Sequence, residues 1–565
     1  MREQITVSQY IIRFLESKGI TWIPGVPGGT ILPLYESLVE SNIEHVLARH
    51  EQGAGFLAQG RARSTGQVSA VFVSSGPGVA NLITAVADAQ RDSVPLLVFS
   101  GQVPLALMGT DAFQELPTMD IVSPIVKKVY QIKNPNQIIK TLEEAYHLAG
   151  SGKKGPVWID LPKDIQTQTI NQSFTHLDFD SQKIELMAES EILEEEVVGG
   201  DIVWFLQEFK SSIEGSRFPL LYLGGGAKKE YLRLREFVSR FQIPAVTTLM
   251  GLGIFEKDDP MNLGMMGMHG TVASNEALGV CDLLIAIGVR FDDRATGAIE
   301  KFCNQAKIIH VDIDAHEIGK NKSVHLSLQK DISEIMPFLI EEEFSIHNEN
   351  ALAQIKTWKE IPESHPIKDL LLDLSSVLPK GDHYILTDVG QHQMWVAQYF
   401  PFSKPNSWIT SGGQGTMGFG LPTAIGVALS HKEANVYCFS GDGSIMMNLQ
   451  ELSTLREQNL NVKIILINNQ HLGLVRQQQD LFYGSKHSGS KFHFHPDFSL
   501  LCQSFGIGYS EWDWSLGTKE LSRFLEKKGP AMIEVRIPAS WGVYPFVPGG
   551  KSNQEYILDP MITTT

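Results

Sequence analysis

The sequence predicts an α/β protein of three domains, each built on a parallel sheet covered on both faces. Three observations carry that expectation. Short apolar runs such as VSAVFVSSG (68–76), PLLVFSG (95–101) and GPVWIDLP (155–162) recur between stretches of helical spacing, with Gly/Pro turns between them. The runs are continuous rather than alternating, the mark of strands buried on both faces. At 565 residues the chain is too long for one core.

Taken in order, the N-terminal MREQITVSQYIIRFLESKG reads as an amphipathic helix capped near Thr6 or Ser8. Arg13 and Glu16 interrupt any signal-peptide core, and no run of about 18 apolar residues is present, so a cytoplasmic enzyme is the expectation. A first domain, 1–165, holds VLARH and the three runs above. Residues 166–198 turn polar, with the acidic run Glu189 to Glu196, and read as a linker. Alternation resumes over 199–345 through FPLLYLGGGA, IPAVTTL, DLLIAIGVRFDD and KIIHVDID. A second polar linker, 346–364, precedes a third domain, 365–545, whose layout resembles the first without detectable sequence repetition. The aromatic, Pro/Gly-rich tail, 546–565, is expected to fold back as a lid.

Composition narrows function only by exclusion. A formal charge of −17 argues against nucleic acid, which needs basic stripes. Four cysteines without CxxC pairing suggest neither a zinc site nor a disulfide framework.

The most informative stretch is CFSGDGSIMMNLQELSTLREQNLNVKIILINNQHLGLV, 438–475. A strand over 436–439 runs into Gly441-Asp442-Gly443-Ser444. A crossover helix through Leu449, Leu452 and Leu455 follows, and a return strand over 462–467 ends at Asn468-Asn469. This places Asp442 and Asn469, twenty-seven residues apart, at the carboxyl ends of two parallel strands, the usual ligand crevice of such sheets. A Mg²⁺ diphosphate suits them: Asp442 offers a carboxylate, Asn469 an amide oxygen, and a backbone carbonyl near His471 completes the set. Gly441 and Gly443 admit the phosphates, and Ser444 with the helix start supplies N–H donors. GDGS alone is also compatible with an ordinary strand-turn-helix; the Asn pair at this spacing favours the metal reading.

GDGS followed by NN, with MNLQEL and HLGLV around them, resembles the thiamine diphosphate fingerprint of acetohydroxyacid (acetolactate) synthase large subunits. That resemblance implies a pyrimidine-binding domain, a central Rossmann-like FAD domain and a diphosphate/Mg²⁺ domain. It implies decarboxylation of pyruvate and transfer of its two-carbon unit to a second pyruvate or to 2-ketobutyrate, the first common step of branched-chain amino acid synthesis. In ARHEQGAGFLAQG it gives Glu51 the role of activating the thiamine; read alone, Glu51 is a helix-start carboxylate that complements the macrodipole. Gly29 of Val26-Pro27-Gly28-Gly29 faces the reacting centre in the family. Phe113 and Gln114 of MGTDAFQE and Lys163 of LPKD match the substrate channel.

In the third domain, the resemblance gives Gln391 and His392 to the diphosphate, Met417 to the wedge that bends thiamine, and Gly415, Met447, Leu472 and Gly473 to further cofactor contacts. In the central domain it implies FAD against Gly225, Thr248, Leu249, Met268, His269, Arg290, Asp292, Asp312 and Asp331; a domain that kept the fold without the flavin is the alternative. Arg294 matches the residue that grips the second 2-ketoacid, a carboxylate suited to a guanidinium fork. SSGPGVANL departs from the family at Val79-Ala80, where Ala-Thr is usual. Gln478 stands where QWQ is usual, which removes the tryptophan that packs on the extra methyl of 2-ketobutyrate and implies weak preference for it. A homodimer or homotetramer with its site at the interface, and a small regulatory subunit, are further implications. A flavin-dependent pyruvate oxidase, glyoxylate carboligase, a catabolic synthase without flavin and a non-catalytic thiamine diphosphate sensor remain as rivals; Glu51 argues against the carboligase, and RFDDR, GTDAFQE and GQVP favour the synthase over the oxidase.

Overall fold

Runs of β-branched and aromatic residues bounded by turn formers have their lowest free energy where both faces are dry; among the described residues they form the inner strands of three sheets, with shorter, half-exposed strands at the edges. The computed structural model describes residues 4–170, 200–361 and 365–560. The acidic run Glu189 to Glu196 lies outside them. The first sheet comprises β1 (Trp22–Val26), β2 (Glu44–Leu47), β3 (Ser69–Val73), β4 (Leu96–Gln102), β5 (Lys128–Gln131) and β6 (Pro156–Pro162), all parallel, in the order β2-β1-β3-β4-β6-β5. The third comprises β13 (His383–Thr387), β14 (Trp408–Ile409), β15 (Asn435–Gly441), β16 (Val462–Asn468), β17 (Gly508–Glu511) and β18 (Ala531–Arg536), in the order β14-β13-β15-β16-β18-β17. Counted within each sheet, the two topologies are the same, so the likeness of layout expected from sequence extends to strand order.

The central sheet comprises β7 (Pro219–Leu223), β8 (Ala245–Thr247), β9 (Asn262–Met265), β10 (Leu283–Ile287), β11 (Lys307–Asp312) and β12 (Leu326–Gln329), in the order β12-β11-β10-β7-β8-β9. This is the doubly wound dinucleotide-fold order, whose switch point falls between β7 and β10. There the backbones touch: a Cβ on Gly224 would stand 2.1 Å from the Gly288 carbonyl oxygen.

The first and third domains share one hydrophobic core. Its axis is the crossing of the Glu51–Thr65 helix with the Gly420–Ser430 helix, where a Cβ on Gly426 would stand 2.0 Å from the Leu57 carbonyl and one on Gly60 2.3 Å from that of Thr423. Only bare backbone permits that approach. Phe56 packs edge-on against Phe419 across it.

One expectation is met and two change in detail. The N-terminal helix is capped at Thr6, whose hydroxyl and Gln9 complete a capping box. The crossover after Asp442 is no single helix: one turn, Asp442–Ile445, gives way to a 3-10 turn, Leu449–Glu451, and a helix, Leu452–Glu457. The break falls at Asn448, whose side-chain amide leaves the local backbone to donate to Gly418 O at 2.7 Å. The second polar stretch contains the Glu349–Lys359 helix, and its Ala351 and Ile355 join the core of the central domain while Trp358 stacks on Phe218. The tail returns to the central domain: Val547 N–H donates to Met268 O (2.8 Å), and Asn553 Nδ2 to Ala295 O (3.0 Å).

Candidate active site

β15 and β16 run parallel with Gly441 opposite Ile467, which sets Asp442 and Asn469 side by side just past the two strand ends. Asp442 is 2% exposed, and burial pushes its carboxyl up to about 6 against the pull of His495, whose Nε2 donates to Oδ2 at 2.7 Å. Asn469 is fixed at both ends of its amide: Nδ2 donates to Gln391 Oε1 (3.0 Å) and Oδ1 accepts the His471 N–H (3.0 Å). The chain then turns through Leu472 into the Gly473–Phe482 helix, and Gly473 is bare because a Cβ would meet Gln391.

Gln391 is spent within the protein, since its Nε2 donates to Trp541 O (2.9 Å) and Gln477 Oε1 (3.2 Å). His392 is different. Its ring lies between the bare faces of Gly390 and Gly441, burial pushes it down to about 3 so that it is neutral, and its Nε2 is buried without a partner. A buried unpartnered imidazole nitrogen beside Gly441 and Asp442 is a group with a ligand still to meet. Ser444 Oγ donates to Val389 O (2.7 Å), which holds the turn; Gly443 faces Leu472 and Phe492. A buried carboxylate, an amide oxygen and bare glycines fit a Mg²⁺ diphosphate.

Met417 sits half-buried in the loop 411–419, with Gly415 and Gly418 at positive φ on either side, and Met447 is exposed beside Gly418. That loop is gripped from the first domain. Arg63 pairs with Asp88 (2.8 Å) and Asp92 (3.0 Å); Asp92 accepts the N–H groups of Gly412 (2.9 Å) and Gly413 (2.7 Å), and Asp88 accepts the hydroxyls of Ser411 and Thr416.

Glu51 opens its helix directly after β2, where His50 supplies the cap, and its Oε2 accepts from Asn81 Nδ2 at 2.9 Å. Gly29 follows β1 and Lys163 follows β6, both exposed at the same carboxyl edge as Glu51. Gln114 holds a positive φ and packs its backbone on Gly76, and Phe113 is 88% exposed. Among the described residues no hydrogen bond or ion pair joins Glu51 to Asp442.

Every flavin candidate lies at the carboxyl edge of the central sheet. Gly225 follows β7; Thr248 and Leu249 follow β8, with Thr248 accepting the Gly251 N–H (3.2 Å); Met268 and His269 follow β9. Burial pushes His269 down to about 4, and its Nδ1 has no partner. Arg290 follows β10 and reaches Arg91 O in the first domain. Asp312 ends β11, raised to about 6 by burial. Asp292 and Asp331 act as helix caps, and Asp331 also pairs with Lys229. Arg294 stands with its side chain 70% exposed, its nearest anion Asp293 at 3.8 Å.

Gln478 lines an open cleft of 640 Å³ with Val475, Gln479, Tyr483 and Lys486. Its neighbour Gln477 does the structural work: Oε1 accepts the Val543 N–H (2.8 Å) and Nε2 donates to Val543 O (2.9 Å). Gln477, His495, Asn81 and the Arg63 cluster were not singled out by the sequence, because their partners lie far along the chain.

The chain matches three protein families, described as the thiamine pyrophosphate enzyme N-terminal TPP binding domain over residues 5–123, its central domain over 206–339 and its C-terminal TPP binding domain over 388–535. It is 43% identical to the acetolactate synthase isozyme 1 large subunit of Escherichia coli K12, covering 98% of each chain. It is 40% identical to the acetolactate synthase large subunit of Lactococcus lactis, over 97% of this chain and 96% of that one. It is 39% identical to isozyme 2 of Escherichia coli K12, over 97% and 99%.

Proposed function

The chain belongs to the acetolactate synthase large-subunit family of thiamine pyrophosphate enzymes, and we propose on that premise how its residues form acetolactate from two pyruvates. The observation that carries the reading is the buried pair Asp442 and Asn469 at adjacent parallel strand ends, beside the unpartnered His392 Nε2. Asp442, Asn469 and the backbone at His471 hold Mg²⁺. His392, Gly443 and Ser444 take the diphosphate, with Gln391 positioning Asn469. Met417 would hold thiamine in its bent conformation, with Gly415, Met447, Leu472 and Gly473 as further cofactor contacts.

Thiamine diphosphate, when bound, supplies the carbanion chemistry that no side chain provides. Glu51 contributes tautomer control: with Oε2 held by Asn81 Nδ2, its carboxyl would hydrogen-bond the aminopyrimidine ring and favour the imino form. Gly29, Gln114 and Lys163 line the approach to the reacting centre. Arg294 grips the carboxylate of the second 2-ketoacid, with Phe113 and Gln478 bordering it. The family resemblance supports a site formed between two copies, Glu51 of one facing Asp442 of the other, in a homodimer or homotetramer. FAD lies along the carboxyl edge of the central sheet, an assignment supported by its strand order and by the bare Gly224–Gly288 contact at the switch point. FAD there is structural, since no electrons change hands overall. A small regulatory subunit is a further proposed partner, supported by relatives described as large subunits.

Incubation of the purified protein with thiamine diphosphate, Mg²⁺, FAD and pyruvate, without an electron acceptor, tests the reading. Acetolactate is expected. Acetate formed only once an acceptor is added would overturn it in favour of an oxidase, and no turnover under either condition would favour a binding protein.

A further inference from the structure

The segment that delivers Glu51 is held by a carboxylate 402 residues away in sequence. Glu451, 0% exposed, closes the 3-10 turn Leu449–Glu451 that follows the Asp442 motif. Its Oε1 accepts the backbone N–H of Arg49 at 2.9 Å and of His50 at 3.1 Å, and its Oε2 accepts the hydroxyl of Thr454 at 2.7 Å. His50 in turn caps the helix that Glu51 opens, its Nδ1 accepting the Gln52 N–H at 3.1 Å. One turn further, a Cβ on Gly53 would stand 2.4 Å from Glu451 Oε1, so the carboxylate reaches the chain only because Gly53 is bare.

Two consecutive N–H groups on one buried anion fix the direction of the backbone at the residue that follows them. Arg49 and His50 lie between β2 and the helix, and their part-buried N–H groups both find their partner in Glu451 Oε1. Burial raises the Glu451 pKa against the pull of its hydrogen bonds from Thr454 and the Arg49 and His50 N–H groups and of the Arg49 charge. Glutamine has the same reach and the same acceptor oxygen; alanine has neither. We propose that Glu451 is a positioning residue for Glu51, setting through the Arg49 and His50 N–H groups the place where the Glu51 carboxylate meets the cofactor ring. The inference rests on the role of Glu51 given above.

The test uses the full chain saturated with thiamine diphosphate and Mg²⁺, and follows exchange of the cofactor C2 proton for deuterium by quenched-flow NMR. Alongside it, kcat and the KM for thiamine diphosphate are measured for the wild type, E451A, E451Q, T454V and E51Q. Displacement of a catalytic group by about 1 Å costs up to about a hundredfold, so E451A is expected to slow exchange and kcat by about ten- to a hundredfold. Its KM for the cofactor should stay within about threefold, because the diphosphate end is untouched. E451Q should stay within about threefold of wild type in exchange. Exchange in E451A as fast as wild type, or E451Q as slow as E451A, overturns the proposal. Should E451A not fold, T454V carries the test, with about threefold slower exchange expected and unchanged exchange contradicting it. Exchange in E51Q as fast as in wild type would instead overturn the role of Glu51 itself, and the inference with it.

Discussion

His495 Nε2 donates to Asp442 Oδ2 at 2.7 Å, while its Nδ1 is buried without a partner and its ring meets Phe492 and Phe498 edge-on or tilted. The pair places an imidazole at the carboxylate proposed to hold Mg²⁺.

At pH 8 the hydrogen bond from His495 occupies a lone pair that the metal also needs. Its net worth is about 1 kcal/mol, so H495A should tighten the apparent Mg²⁺ affinity of the cofactor-loaded protein by about fivefold. Titration calorimetry with Mg²⁺ at fixed thiamine diphosphate measures this. Weaker binding in H495A would mean that His495 supports the metal rather than competing with it.

Gln478 borders the 640 Å³ cleft where the family commonly has tryptophan. A methylene packed in a hydrophobic pocket is worth about 1–3 kcal/mol. With equal pyruvate and 2-ketobutyrate the wild type should form acetolactate at least as abundantly as acetohydroxybutyrate, and Q478W should shift the ratio several-fold toward the latter. An unchanged ratio removes Gln478 from specificity.

Much of the fold was legible because β3, β4 and β6 are continuous apolar runs that no other environment satisfies. β1 escaped naming because WIPGV carries Pro24 and Gly25, yet Gly25 is what the strand requires: a Cβ there would meet Phe72 O at 2.4 Å. β5 escaped because KVYQ is a half-exposed edge strand without an apolar run. At the site, Asp442 and Asn469 were visible since one β-α-β unit brings them together. Glu451 lies within the MNLQEL stretch, but its partners depend on how two domains dock, which no local pattern encodes. Gln477 and Gln478 are the same residue type, and only the turn of the helix decides which is buried.

Gly426 crosses the Glu51–Thr65 helix with no room for a side chain, as a Cβ would stand 2.0 Å from Leu57 O. G426A should lower stability by about 1–3 kcal/mol, since backbone must move to admit the methyl. A thermal unfolding midpoint equal to wild type would show that the crossing is looser than described.

Asp160 is fully buried, accepting from Ser100 Oγ at 2.7 Å and Gln131 Nε2 at 3.1 Å, and burial pushes it up to about 6 from 3.8. Between about pH 4 and pH 6 the folded protein therefore keeps a proton that the unfolded chain has lost, and stability falls as pH rises through that window. The stability of wild type relative to D160N should decline from pH 4 to 6, by at most about 1.4 kcal/mol per pH unit, and level off above. Denaturant titrations across pH 4–8 check the slope; a difference that grows with pH would reverse the sign.

Glu51 and Asp442 are proposed to serve one cofactor from two copies of the chain. Co-expression of E51Q and D442N with different affinity tags, followed by isolation of the mixed oligomer, measures this most directly. Each variant alone should be inactive. In a mixed dimer one site carries both substitutions and the other neither, so acetolactate formation should return to about half the wild-type rate. Mixed oligomers as inactive as the single variants would place Glu51 and Asp442 in the same chain's site.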